Sequence, residues 1–168
     1  LDYRWDIGRF GDLEMGAQYN VTLKHTQQLS PNDPVVDLLR QPAQPPYSTE
    51  FKTIANAPVT WTIGKWATTL YGTRYGKSPN YDAQLYGYGT PGAGSVAPWM
   101  LYSGSVAYNI TPDMKISAIV HNIKNSMPPS DASANATPGL TSPYYNTLNY
   151  NPHGRQFWLE FDWKFGQR

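Results

Sequence analysis

Gln156-Phe157-Trp158-Leu159-Glu160-Phe161-Asp162-Trp163-Lys164-Phe165 carries the sharpest pattern in the chain. Phe157, Leu159, Phe161, Trp163 and Phe165 occupy one set of alternate positions, and Gln156, Glu160, Asp162 and Lys164 occupy the other. Successive side chains of a β-strand point to opposite faces, so a period of two reads as a strand with one greasy face, whereas a helix would scatter these residues all round. Only Trp158 breaks the alternation.

The same period recurs upstream. Leu1, Tyr3, Trp5 and Ile7 alternate with Asp2, Arg4 and Asp6. From Asp12 to His25 the odd positions Leu13, Met15, Ala17, Tyr19, Val21 and Leu23 are apolar, with Glu14, Gln18, Asn20, Thr22 and Lys24 between them. A third strand is predicted through Phe51, Ala55, Ala57, Val59, Trp61 and Ile63, weakened by Pro58. Gly64-Lys65 then reads as a two-residue hairpin that sets Ile63 and Trp66 on one side, and a fourth strand continues through Thr68 and Leu70 towards Tyr75. A fifth covers Trp99 to Ile110, with Met100, Tyr102, Val106, Tyr108 and Ile110 opposed to Ser103, Ser105 and Asn109, and a sixth runs from Met114 to Asn122.

Seven strands therefore account for most of the 168 residues. Aromatics form 14% of the chain, and 14 Gly and 15 Pro interrupt it, a mix that favours short strands and irregular connections. A net charge of +1 without a basic run offers no footprint for nucleic acid. The absence of cysteine removes disulfides, thiolate nucleophiles and thiolate metal sites. No apolar run approaches the ~18 residues a membrane helix needs. Mean hydropathy is −0.54, but alternating strands of a transmembrane barrel average to such values, so this excludes only helical spans. Leu1 follows no Met and no signal-peptide pattern, which leads us to expect an upstream part.

Connection lengths decide between architectures. Gly8 to Gly11, Gly64-Lys65 and Thr111 to Asp113 are short, while Thr26 to Pro46, Ser78 to Pro98 and Ser126 to His153 are long, in strict alternation. Outer-membrane barrels have this grammar, with brief periplasmic turns and long external loops. Trp5, Phe10, Trp61, Trp66, Tyr108, Trp163 and Phe165 all fall near the expected periplasmic ends, where an aromatic girdle belongs. A soluble or surface-attached β-sandwich that binds carbohydrate explains the alternation equally well but not the long second loops. The expected fold is thus all-β: an antiparallel, up-and-down transmembrane barrel segment. Seven strands cannot close as a bacterial single-chain barrel, which uses even numbers, and a small autonomous adhesin or porin would need an eighth strand from one of the loops.

Three stretches resemble the TonB-dependent receptors of the Gram-negative outer membrane. Leu1 to Gly16, LDYRWDIGRFGDLEMG, is similar to a strand-turn-strand of the later barrel. Asn122-Ile123-Lys124-Asn125 is similar to the end of the family's penultimate strand, and Tyr144 to Phe165, YYNTLNYNPHGRQFWLEFDWKF, to its final loop and strand. The resemblance implies that residues 1–168 are the C-terminal third of a barrel of about 22 strands, with plug and earlier strands elsewhere. It implies no enzyme and no cofactor, but active uptake of an iron chelate, cobalamin, oligosaccharide or peptide across the outer membrane. The implied partners are the remainder of the barrel and its plug, the barrel-assembly machinery, outer-membrane lipid, and an inner-membrane energy-coupling protein acting through the plug. Phe165, with Trp163, Phe161 and Leu159 behind it, corresponds to the family's assembly signal, although Gly166-Gln167-Arg168 extend past the usual terminal aromatic.

Other chemistry is thin. His25, His121 and His153 stand in no metal-ligand spacing and read as solvated. Gly87-Tyr88-Gly89 and Gly92-Ala93-Gly94 lack the helix and Lys-Ser/Thr pair of a phosphate cradle. Glu14, Lys24, Lys52, Glu160, Asp162 and Lys164 are expected to face a lumen. Tyr81, Tyr86, Tyr88 and Trp99 gather in and beside the second long loop as candidate substrate contacts, since exposed aromatics stack on sugars and on aromatic chelators; they could equally anchor the loop.

Overall fold

A computed structural model of the chain describes residues 1–40, 50–80, 94–131, 145, 149–151 and 153–166. The elements are β1 (Asp2–Asp6), a 3₁₀ turn (Gly8–Phe10), β2 (Asp12–Gly16), β3 (Gln18–Val21), β4 (Thr26–Gln27), β5 (Val36–Asp37), β6 (Thr53–Ile63), β7 (Trp66–Tyr75), β8 (Trp99–Thr111), β9 (Met114–His121) and β10 (Gln156–Trp163). One antiparallel sheet runs in the order β1-β2-β6-β7-β8-β9-β10, with β3 also on β6, an up-and-down meander once β2 and β3 are counted as one interrupted strand; β4 and β5 form a separate two-stranded sheet. The sheet does not close on itself: β1 and β10 are its two edges.

The expected second strand is split into β2 and β3, and the cause lies across the ladder. Met15 opposes Val59 and Gln18 opposes Asn56, so the register is unchanged through the break. Between them lies Pro58, which has no N–H to give, and the pairing lapses there. Gly16 fits the Pro58 ring closely, since a Cβ at Gly16 would stand 3.0 Å from Pro58 Cγ. A short hairpin of β4 and β5 occupies the first long connection, a feature the alternation did not signal.

Three tight turns sit at one end of the sheet. In the first, Gly8 donates to the Asp6 carboxylate at 2.7 Å and Ile7 donates to the Gly11 carbonyl at 2.8 Å. In the second, Ile63 opposes Trp66 as expected of a two-residue hairpin, with Gly64 at φ +55°. The third follows a β-bulge between Asn109 and Thr111 and leads into Thr111 opposite Met114. All three long connections leave from the other end.

The register stacks like with like. Trp5, Leu13, Trp61, Thr68, Val106, Ala118 and Leu159 form one continuous row across the sheet. The adjacent row on the opposite face is Asp6, Asp12, Thr62, Ala67, Ala107, Ser117 and Glu160. Trp158, the exception in the last strand, lies on this polar face opposite Ile119, an aromatic and β-branched cross-strand pair.

Two of the positive-φ turn glycines, Gly64 and Gly11, separate backbone strain from collision. Gly64 has open space around a would-be Cβ, so Gly64→Ala should cost only about 1–2 kcal/mol, the left-handed penalty. Gly11, at φ +86°, would drive a Cβ to 2.0 Å from the Thr62 carbonyl oxygen. Gly11→Ala should therefore lower the urea midpoint by at least twice as much, followed by tryptophan fluorescence; equal shifts would mean that the Gly11–Thr62 approach does not constrain the turn.

Candidate functional site

Two features distinguish this sheet: an apolar face that nothing among the described residues covers, and an aromatic cluster where the long connections meet. On the apolar face Phe157 is 71% exposed and Leu159 77% exposed, and Tyr3, Trp5, Met15, Trp61, Trp66, Leu70, Val106, Phe161 and Trp163 are exposed beside them. Monomeric soluble proteins rarely show contiguous apolar surface on this scale. No helix of the described residues is long and apolar enough to cross a membrane, which leaves strands that cross a membrane unaddressed.

Chemistry changes at both ends of that face. Towards the tight turns, the Trp61 indole donates to the Phe10 carbonyl at 2.8 Å, and Trp66 packs on Tyr108 with ring centroids 4.6 Å apart. Trp163 and Phe165 meet edge to face at 5.6 Å. Cations sit among these rings: Arg9 lies 4.8 Å from the Phe10 centroid, and Lys65 lies 5.9 Å from that of Tyr108 while donating to the Ile110 carbonyl at 2.9 Å beside the bulge. Aromatic bodies with polar edges and snorkelling cations suit a boundary between hydrocarbon and water.

Towards the long connections, Tyr19, Arg74 and Met100 share a row on the apolar face, and Lys124 lies 4.4 Å over the Tyr102 ring. Trp66 and Arg74 are eight residues apart on β7. That is about 26 Å along an extended strand, or about 20 Å in height at a tilt of ~40°, commensurate with the ~25 Å apolar band of outer-membrane barrels.

The opposite face is polar and internally paired. Thr60 and Thr69 hydroxyls are 2.9 Å apart, Lys115 Nζ is 2.9 Å from Asp162, and Arg4 is 3.4 Å from Asp12. Glu14 opposes Thr60, and Glu160 opposes Ser117, so both lie on this side with Asp162, as the alternation led us to expect. Lys24, Lys52 and Lys164 fall outside the strands. His25 Nδ1 lies 2.6 Å from Glu50, a hydrogen bond that occupies that histidine across the first long connection. No group of three metal-ligating side chains occurs among the described residues.

At the loop end of the polar face, all three long connections contribute to one core. Val96, Trp99, Tyr145 and Tyr150 are buried, with Phe51, Tyr75 and Leu101 packed against them. Phe51 meets Tyr75 at 5.1 Å and Tyr150 at 5.4 Å, and Trp99 meets Tyr75 at 5.9 Å and Tyr150 at 5.5 Å. Burial pushes the Tyr150 hydroxyl above the ordinary tyrosine value, and the charge of Asp131 adds to that shift. Asn80, also buried, accepts from the Gly94 amide at 3.0 Å. Asn122 and Asn125, both at φ +51°, close the end of β9: Asn122 accepts from the Ser126 amide at 3.0 Å, and Asn125 accepts from the Arg155 amide at 2.8 Å, tying the end of β9 to the start of the last strand.

Trp99 lies in this core at 8% exposure, the placement of a loop anchor. Tyr81, Tyr86 and Tyr88 lie outside the described residues. Leu159, Phe161, Trp163 and Phe165 all stand exposed at the sheet edge formed by β10. The sequence reading missed Tyr75, Phe51 and Tyr150 as partners of Trp99. The available signal was phase, because Tyr75 and Trp99 are aromatics on the polar set of positions of their strands.

No family, curated protein or solved structure matches this chain.

Removing a buried aromatic typically costs about 3–5 kcal/mol. Trp99→Ala should accordingly speed protease nicking in the long connections by tenfold or more while leaving the strands protected. Nicking at the unaltered rate would show that the connections are held by something other than this cluster.

Proposed function

We propose that this chain is part of the wall and external mouth of a bacterial outer-membrane receptor of the TonB-dependent kind, which takes up a scarce nutrient such as an iron chelate, cobalamin, oligosaccharide or peptide. The observation that carries the reading is the uncovered apolar face bounded at both ends by aromatic rings and cations. A β-sandwich needs a second sheet against that face, and the described residues supply none. Hydrocarbon is a solvent in which such a face would be stable. The wall performs no reaction in this reading; it spans, encloses and presents.

Two further observations support it. The short and long connections segregate to opposite ends of the sheet, and in this reading the three tight turns would lie in the periplasm and the aromatic cluster outside. Both edges of the sheet are open, and unpaired backbone is costly in lipid, so β1 and β10 would each pair with strands of the remaining barrel. The polar face would then look towards the plug, through which an inner-membrane motor drives uptake. In this reading Leu159, Phe161, Trp163 and Phe165, along and just past the free edge strand β10, would be the signal that assembly machinery reads. The loop-end core would hold the external connections in shape, and Tyr81, Tyr86 and Tyr88, the proposed substrate contacts, lie outside the described residues.

A cation at the bilayer midplane costs about 2–4 kcal/mol on the lipid face of such a barrel and little on the lumen face. Leu70→Arg, midway between Trp66 and Arg74, should thus deplete the chain from detergent-extracted outer-membrane fractions and abolish its heat-dependent shift in electrophoresis, whereas Ser105→Arg, on the polar face at nearly the same level, should be tolerated. Intact mass of the unheated species should exceed that of the chain alone by the rest of the barrel. A chain that is folded and monomeric without detergent would instead favour the sandwich.

A further inference from the structure

The apolar face is not flat. Near its loop end, Tyr19, Ala55, Leu70, Gly72, Met100 and Tyr102 line a groove of about 570 Å³, made where small side chains on neighbouring strands leave the taller rings standing on either side. Arg74 lines the same groove, exposed on an otherwise apolar face, and no carboxylate among the described residues forms an ion pair with it. Lys124 stands over the Tyr102 ring that forms one wall, and its only described contact is that ring. The groove thus has Arg74 in its lining and Lys124 beside its Tyr102 wall, and neither forms an ion pair with a carboxylate among the described residues.

A lone arginine on a hydrocarbon-facing surface needs an anion or water for its five N–H donors. Its planar fork matches phosphate oxygens in particular, and Lys124, 4.4 Å from the Tyr102 ring, adds a second charge beside the groove. We propose that the groove is a binding site for a phospholipid of net negative charge, with an acyl chain lying along Leu70, Gly72 and Met100 and its uncompensated phosphate held between Arg74 and Lys124. This rests on the membrane-wall reading above. The occupant is a lipid of the surrounding leaflet, since the groove lies in the apolar face and both cations stand towards the long connections.

The test uses the fully assembled protein extracted in detergent and exchanged into micelles doped with phosphatidylglycerol or, separately, with phosphatidylcholine, with bound lipid read by native mass spectrometry. Wild type should keep phosphatidylglycerol at least tenfold more than phosphatidylcholine. Arg74→Gln with Lys124→Gln should erase that preference. Gly72→Leu should lower retention of both lipids, because a Cβ there has ordinary clearance, 3.8 Å from Tyr102, and the added side chain fills the trough. Each variant is checked for the heat-dependent electrophoretic shift, so a failure of the lipid site with the shift intact is distinct from a failure of the membrane reading. Unchanged preference in the double variant, equal retention of the two lipids by wild type, or occupation of the face by a second copy seen as a dimer would each overturn the proposal.

Discussion

Side chains of a strand must alternate between two faces while its backbone polar groups must pair along the sheet plane, and every other feature here follows from meeting both demands at once. Pairing is supplied by the meander, in which each strand of the main sheet is bonded to its neighbours. Alternation then collects the rows from Trp5 to Leu159 on one side and from Asp6 to Glu160 on the other. The fold acquires two surfaces of opposite chemistry without a packed interior between them. Its buried apolar side chains gather instead at the loop end, chiefly in the cluster around Trp99.

That distribution inverts the usual relation between burial and stability. In a water-soluble domain the apolar rows would be the core, and most of the folding free energy would come from removing them from water. Here those rows are exposed, so the isolated sheet lacks that term, and in the proposed setting the surrounding hydrocarbon takes its place. Stability internal to the chain comes from ladder pairing, from the turn contacts at Gly11 and Asp6, and from the aromatic cluster that binds the three long connections together.

Much of this was legible in the sequence, for a physical reason. Period-two alternation with residues as contrasted as Phe161 and Asp162 fixes both the strand and its facing, and Gly64-Lys65 or Thr111 to Asp113 mark turns by their own conformational demands. Seven strand positions and the antiparallel meander were therefore readable. The break at Ala17 was not, because its cause is a proline on a neighbouring strand forty residues away. The role of Trp99 was only half legible: an anchor and a ligand contact need the same aromatic residue, and the difference lies in whether Tyr75 and Tyr150 enclose it. Arg74 also escaped notice, since one cation in an alternating strand looks like any solvated side chain until the register sets it beside Tyr19 and Met100.

The proposed function depends on which face meets lipid, and tryptophan reports this directly. Single-tryptophan variants retaining Trp61, Trp66, Trp163, Trp158 or Trp99 would be placed in bilayers whose acyl chains carry bromine, a short-range quencher of indole fluorescence. The account predicts strong quenching of Trp61, Trp66 and Trp163, with Trp158 on the polar face and Trp99 in the loop-end core left bright. Equal quenching of all five, or none at Trp61, Trp66 and Trp163, would contradict it.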